Sequence, residues 1–285
     1  QLDIEFAVID SRDKPALNDE LLKKMPDVPV FTGGLDASIF KLATHIVVSP
    51  GIPMQEPVIQ QALSQGVIAL SDIDLLACSV NKPIVAITGS NGKSTVTTLL
   101  GEMAKADKVS VAIGGNLGIP ALDLIGDEVE LYILELSSFQ LERTTQLNAT
   151  VGTVLNISED HLDRYSGMGD YIKQKQNVFA GDGVMVINVD DPEVIKMQEA
   201  SREVITFSLG QSADYCIKET EQGRFFAFKG REILAVNELT ILGRHNQANA
   251  LAALALGRVV NLSEKAMCYA LKHYKGLKHR MQFVA

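Results

Sequence analysis

The sequence predicts an α/β protein: a small Rossmann-like N-terminal domain, then a P-loop ATPase-like central domain with a mainly parallel sheet and a small β flank. Three observations predict it. Short β-branched apolar runs alternate with segments of helix length. Turn chemistry closes those runs. One run also opens directly into a glycine-rich turn, Thr88-Gly89-Ser90-Asn91-Gly92-Lys93-Ser94-Thr95. Strand and helix signals that alternate in this way imply parallel strands.

Taken in order, Ile4 to Ile9 and Thr44 to Val48 read as strands that stop at Asp10-Ser11-Arg12 and Ser49-Pro50-Gly51. Pro57 to Gly66 has helical spacing, so residues 1–80 form a first α/β unit. Asn81-Lys82-Pro83 is the boundary, because proline disfavours helix before it. Residues 81–285 then carry strands at Ile84 to Ile87, Val109 to Ile113, Leu131 to Leu134, Val151 to Leu155 and Val184 to Ile187. From Val204 to Thr240 short alternating runs broken by Gly210, Gly223 and Gly230 predict a β-meander beside the main sheet. Asn246 to Val259 is an alanine-rich helix.

Composition narrows the function classes. A chain of 285 residues exceeds one ordinary core, and 46% hydrophobic with 21% charged residues is a soluble globular balance. The net charge of -9 gives no general attraction to nucleic acid or an anionic membrane, so a phosphate ligand has to be held locally. Cys78, Cys216 and Cys268 form no CxxC pair, which points to a reducing, cytoplasmic setting without zinc or disulfides. The most apolar helical stretch, Ala248 to Leu256, is well short of the roughly 20 residues of a membrane span. The chain begins with Gln1 close to a strand-like run, so residue 1 is expected not to be the native start.

Ligands of an open parallel sheet bind beyond the carboxyl ends of its strands. Those ends present the glycine-rich turn, then Gly114-Gly115-Asn116, then Glu135-Leu136-Ser137-Ser138, then Asn156 through Asp160-His161. In the turn, glycines let N–H groups face phosphate oxygens, Lys93 adds charge, and Ser94 is placed to hold magnesium. Its first glycine arrives late, at Gly89, where an ordinary GxxxxGK[ST] loop has one at the position of Ile87. Glu135 suits a hard cation, or is a solvated strand-end acid. His161 reads as functional or as a capping histidine, and Asp160 and Asp163 as functional or as helix-start acids.

TGSNGKST, ELSSFQLE from Glu135, NISEDHLDRY from Asn156 and GRHNQANALAA from Gly243 together resemble the Mur ligase family of peptidoglycan synthesis, most of all its D-glutamate-adding branch. The resemblance spans essentially the whole chain and is strongest between Ser49 and Arg280. It implies an ADP-forming amide ligase that uses ATP and two magnesium ions, with UDP-N-acetylmuramoyl-L-alanine and D-glutamate as substrates, acting as a cytoplasmic monomer through an acyl phosphate. Carried over by residue, Gly89, Ser90, Asn91, Gly92, Lys93, Ser94 and Thr95 form the phosphate loop, and Asn249 and Arg280 contact the nucleotide. Ser94, Glu135, His161 and Lys175 hold metal, Lys175 as a carbamate, with Lys173 a rival by spacing. Lys93, His161, Lys175 and Asn116 form the catalytic set. Asp10, Ser11, Arg12, Ser49, Gly51, Asn116 and Ser137 meet the UDP-linked substrate.

The same resemblance implies a diphosphate loop and first strand before residue 1. It also implies a third, D-glutamate-binding domain beyond Ala285, so residues 1–285 alone are expected not to turn over. Another Mur ligase, a folylpolyglutamate synthetase, and a non-catalytic ATP-binding module stand as alternatives.

Overall fold

The structure, a computed structural model, describes residues 5–16, 18–160 and 164–277. The chain divides into two compact units, residues 1–47 with 52–69, and residues 48–51 with 70–285. In the first, β1 (Val8–Asp10), α1 (Asn18–Lys24), β2 (Val30–Thr32), α2 (Ala37–Phe40), β3 (His45–Val47), α3 (Pro57–Ser64) and β4 (Ile68–Leu70) alternate. β1 runs parallel to β2 with Asp10 opposite Thr32, and β3 pairs with β4. Of the strand expected over Ile4 to Ile9, Ile4 lies outside the described residues, and among those described the strand begins at Val8.

The helix α4 (Asp72–Ser79), grouped above with residues 1–80, belongs to the second unit. Its carboxylate Asp74, fully buried, explains why. It accepts from the N–H and Oγ of Ser71 at the helix start (2.8 and 2.9 Å), and from the N–H groups of Thr145 and Gln146 (2.8 and 2.6 Å). Sequence spacing shows the Ser71 cap; it does not show the second pair of donors, which arrive from 71 and 72 residues away.

The second unit is built on one sheet of β5 (Ile84–Thr88), β6 (Val111–Gly115), β7 (Leu131–Glu135), β8 (Val151–Val154), β9 (Val184–Asn188), β10 (Val204–Ser208), β11 (Tyr215–Thr220), β12 (Gly223–Phe228) and β13 (Arg231–Ala235). Their spatial order is β13-β12-β11-β10-β9-β8-β5-β7-β6. All pairs from β6 to β10 are parallel. The meander expected from Val204 to Thr240 is therefore not separate: β10 extends the parallel sheet beside β9, and only β11 to β13 pair antiparallel. β6 starts two residues later than expected, because Lys108 turns at φ 63° and the Val109 N–H still closes the preceding helix on Ala104.

Both faces of the sheet are covered, so its central strands are apolar throughout rather than alternating in polarity. Val85 and Ile87 of β5 point to one cluster with Val96, Leu99 and Leu100 of α5 (Lys93–Ala106) and with α9 (Arg244–Val259) and α10 (Glu264–His273). Ile84 and Ala86 point the other way, to α4, to Leu141 of α6 (Ser138–Leu141), and to Val178 and Phe179 just beyond α7 (Met168–Gln176). A short α8 (Pro192–Ile195) follows β9, capped by the Asp191 carboxylate. After β5 the chain crosses to β6 on one side, and after β7 it crosses to β8 on the other. The carboxyl ends of β5 and β8 thus flank the point where connections diverge, which is where such sheets take ligands. Among the described residues no helix is long and apolar enough to cross a membrane.

Candidate active site

β5 delivers its chain into the glycine-rich turn at that point. Gly89 (φ 149°) lies against β8, where a Cβ would stand 3.0 Å from Leu155 Cβ. Gly92 (φ 85°) is the residue before α5 and brings no capping side chain. The first-turn N–H groups of α5, at Lys93, Ser94 and Thr95, have no carbonyl partner within a helix. With the helix dipole behind them they form an anion site. Lys93 folds over the turn and donates to the Gly89 and Ser90 carbonyls (2.8 and 3.0 Å). The N–H groups of Ser90 and Asn91 instead point to the end of β8, meeting Asn156 O (2.9 Å) and Asn156 Oδ1 (2.8 Å). The side-chain carboxamide of Asn249, from α9, completes the rim: a Cβ on Gly92 would stand 2.5 Å from its Oδ1.

One strand over, Glu135 ends β7 directly opposite Ile87. It is 2% exposed. Its Oε1 accepts from Asn116 Nδ2 at 2.9 Å, while Oε2 is buried without a hydrogen-bond partner. Asn116 is fixed by its own N–H, which donates to Glu135 O at 2.8 Å. Gly115 permits this approach, since a Cβ there would be 2.5 Å from the same oxygen. A buried carboxylate oxygen with no donor is costly. A bound magnesium ion removes that cost, so Glu135 fits the metal that the loop chemistry implies.

Helix α7 brings Tyr171 and Lys175 to the loop from one face, a single turn apart. Lys175 is 2% exposed and donates to Gly89 O at 2.9 Å. Its Nζ lies 4.7 Å from the Tyr171 ring centroid. Burial first, and the nearby Lys93 charge second, lower its pKa from the usual lysine range to about 7, against the opposing pull of Asp160. Lys173 is exposed on the other side of the helix, so the buried position is Lys175.

Ser137 caps α6: its Oγ accepts from the Gln140 N–H at 3.2 Å and it faces Gln140 Oε1 in a capping box. In the first unit Asp10 and Arg12 are locked together, Arg12 donating through Nε, Nη2 and its backbone N–H at 2.9, 2.6 and 2.9 Å. Those hydrogen bonds hold the Asp10 carboxyl at about 2. Ser11, Ser49 and Gly51 are exposed. His161 and Arg280 lie outside the described residues. The structure therefore gathers the Gly89–Thr95 turn with Asn116, Glu135, Lys175 and Asn249 around the ends of β5, β7 and β8.

Residues 87–257, more than half of the chain, match the Mur ligase middle domain, and residues 1–71 match the MurD-like N-terminal domain of Mur ligases. The chain belongs to the Mur ligase family. This Mur ligase is 48% identical over 283 residues to the UDP-N-acetylmuramoylalanine–D-glutamate ligase of Methylococcus capsulatus, a match covering 99% of this chain and 62% of that protein. It is also 48% identical to the protein of the same name from Pseudomonas aeruginosa, covering 99% of this chain and 63% of that protein. The chain thus spans about 62–63% of the length of these relatives.

Among solved structures, the Mur ligase chain is similar to a pseudomurein peptide ligase type C from Methanothermus fervidus, with a TM-score of 0.61 and 21% identity over 97% of this chain and 66% of that one. It is similar too to a UDP-N-acetylmuramoyl-L-alanyl-D-glutamate–2,6-diaminopimelate ligase, with a TM-score of 0.60 and 23% identity over 88% of this chain and 64% of that one. At these identities the likeness is one of fold.

Sequence reasoning placed the Asn156 to His161 segment at the site without giving Asn156 or Ser158 a role, and it gave Tyr171 none; all three touch the loop of this Mur ligase. For Tyr171 the readable signal was its spacing of four from Lys175 on an amphipathic helix; for Asn156 and Ser158 it was their position at the end of a strand.

Proposed function

We propose that the whole protein is a cytoplasmic, ADP-forming ligase that joins D-glutamate to UDP-N-acetylmuramoyl-L-alanine in peptidoglycan precursor synthesis. The observation that carries this reading is the side-by-side placement of an anion site and a cation site. The uncapped start of α5 offers N–H groups to phosphate, and the adjacent Glu135 offers a buried, partnerless carboxylate oxygen. The choice of acceptor and amino acid rests on 48% identity to relatives bearing that name.

In the first step an acceptor carboxylate oxygen bonds to the γ-phosphorus of ATP and the bond to the ADP oxygen breaks. In the second the amine of D-glutamate adds to the acyl phosphate carbonyl, loses a proton and expels phosphate. Bringing a carboxylate to a triphosphate joins like charges, which fixed donors and cations offset. The α5 amides and Lys93 hold the phosphates. Ser94, Glu135 and His161 are assigned to two magnesium ions, which neutralise phosphate charge when bound. Asn116 keeps Glu135 oriented, and Asn249 and Arg280 are assigned to the nucleotide. Asp10, Ser11, Arg12, Ser49, Gly51 and Ser137 are assigned to the UDP-linked substrate.

An ammonium ion cannot ligate a cation, whereas a lysine carbamate can. Lys175, with a pKa of about 7, presents a large fraction of neutral amine near neutral pH, the form that takes up carbon dioxide. Lys175 is therefore assigned as the carbamylated ligand.

The test is ADP release by the full-length protein with ATP, magnesium and UDP-N-acetylmuramoyl-L-alanine. Release is expected with D-glutamate and not with L-alanine, a diamino acid or a folate. Turnover supported by one of those instead would sink this assignment, and nucleotide binding without any turnover would point to a non-catalytic module.

A further inference from the structure

We infer that Asn156 is a positioning residue for phosphate transfer, holding the phosphate loop open by pairing its side-chain carboxamide with both backbone groups of Asn91. The inference deepens the ligase reading above and rests on it for the turnover arm of its test. Its basis is how β8 continues past its last strand residue. The Leu155 N–H donates to Thr88 O at 2.9 Å, and the Ser90 N–H donates back to Asn156 O at 2.9 Å, so the β5–β8 ladder runs on into the loop. There the backbones part and the Asn156 side chain takes over. Its Oδ1 accepts from the Asn91 N–H at 2.8 Å and its Nδ2 donates to Asn91 O at 3.0 Å. A carboxamide presents one donor and one acceptor side by side, as a backbone strand partner does.

Three further hydrogen bonds fasten the neighbouring residue, Ser90. Ser90 Oγ accepts from the Ser158 N–H at 2.9 Å and donates its single proton to Ser158 O at 3.0 Å. With that proton engaged, the Tyr171 hydroxyl, 3.0 Å away, acts as donor to Ser90 Oγ. Ser90 and Asn91 thus have their N–H groups aimed at β8. The loop then reverses at Gly92 (φ 85°) and leads into the α5 amides of Lys93, Ser94 and Thr95, which are placed to meet a phosphate. Without the Asn156 clamp both polar groups of the Asn91 peptide lose their partners, and the turn is free to collapse onto its own cradle. Preorganisation of this kind is a binding and rate effect more than a stability effect.

The experiment compares wild-type full-length protein with Asn156→Ala, which removes both bonds. It includes Asn156→Asp, which keeps the shape but places a carboxylate oxygen against Asn91 O. Direct calorimetric titration with ADP and magnesium needs no acceptor, so it reads the clamp even if the ligase assignment fails. Both variants are expected to weaken ADP binding by about tenfold. They are expected to raise the KM for ATP by a similar factor, with the KM for D-glutamate and for the UDP-linked acceptor within about twofold of wild type. If Asn156→Ala proves unstable, Tyr171→Phe removes only the hydroxyl from Ser90 and is expected to weaken ADP binding about threefold. Unchanged ADP affinity in these variants, or an equal rise of all three KM values, would overturn the proposal.

Discussion

Gly92 is the residue at which two independent demands meet. Its φ of 85° lies in the left-handed region, and a Cβ would stand 2.5 Å from Asn249 Oδ1. The conformation alone costs an ordinary residue about 1–2 kcal/mol. The contact adds displacement of the buried Asn249 carboxamide beside the phosphate loop. Gly92→Ala is therefore expected to lower the melting temperature by several degrees and to weaken ADP binding by more than about tenfold in a titration. Lys175 makes the complementary prediction. Its role is assigned to the metal rather than to the nucleotide. Lys175→Ala in the full-length protein is expected to cut D-glutamate-dependent ADP release by about 100-fold or more while ADP affinity stays within about threefold. Retained turnover would remove Lys175 from the metal site.

At the scale of elements, α4 shows how a helix is assigned to a unit by its polar contacts. Its apolar face, Ile73 and Leu76, is fully buried, but that much is true of any core helix. What ties it down is Asp74, whose carboxylate receives donors both from its own cap and from the turn at Thr145 and Gln146. Asp74→Ala removes the acceptor of the buried Ser71 cap and of the Thr145 and Gln146 N–H groups, at about 1–3 kcal/mol for each group left unsatisfied. A loss of about 3 kcal/mol or more in denaturant unfolding is expected, with ADP affinity little changed. α7 works in the opposite sense: it is short and polar, and what it contributes is two side chains, Tyr171 and Lys175, delivered to the loop.

For the whole molecule, the division into two units predicts separable ligand effects. A ligand stabilises the state that binds it, by about 2.7 kcal/mol at a hundredfold excess over Kd. ADP with magnesium is expected to slow amide exchange in β5, α5 and β8 while leaving β1 and β2 unchanged. UDP is expected to protect β1 and β2 and the turn at Asp10 to Arg12. Protection of β1 by ADP alone would contradict the assignment of the nucleotide site to the second unit and of the UDP site to the first.

The sequence by itself determined the α/β class, the presence and order of the five strands between Ile84 and Ile187, the phosphate loop and the strand ends that surround it. These are local matters: β-branched runs, glycines at positive φ, and a carboxylate or amide where a strand must leave the core. Only the tertiary structure decided that β10 joins the parallel sheet, that α4 sits with the second unit, that Lys175 and not Lys173 is buried, and that Asn156 holds Asn91. Each of these depends on donors, acceptors or packing surfaces brought together from distant parts of the chain, or on which face of a helix is covered. Spacing along a sequence fixes what a residue can offer, but the partner that accepts it is set by how strands β5, β7 and β8 lie beside one another.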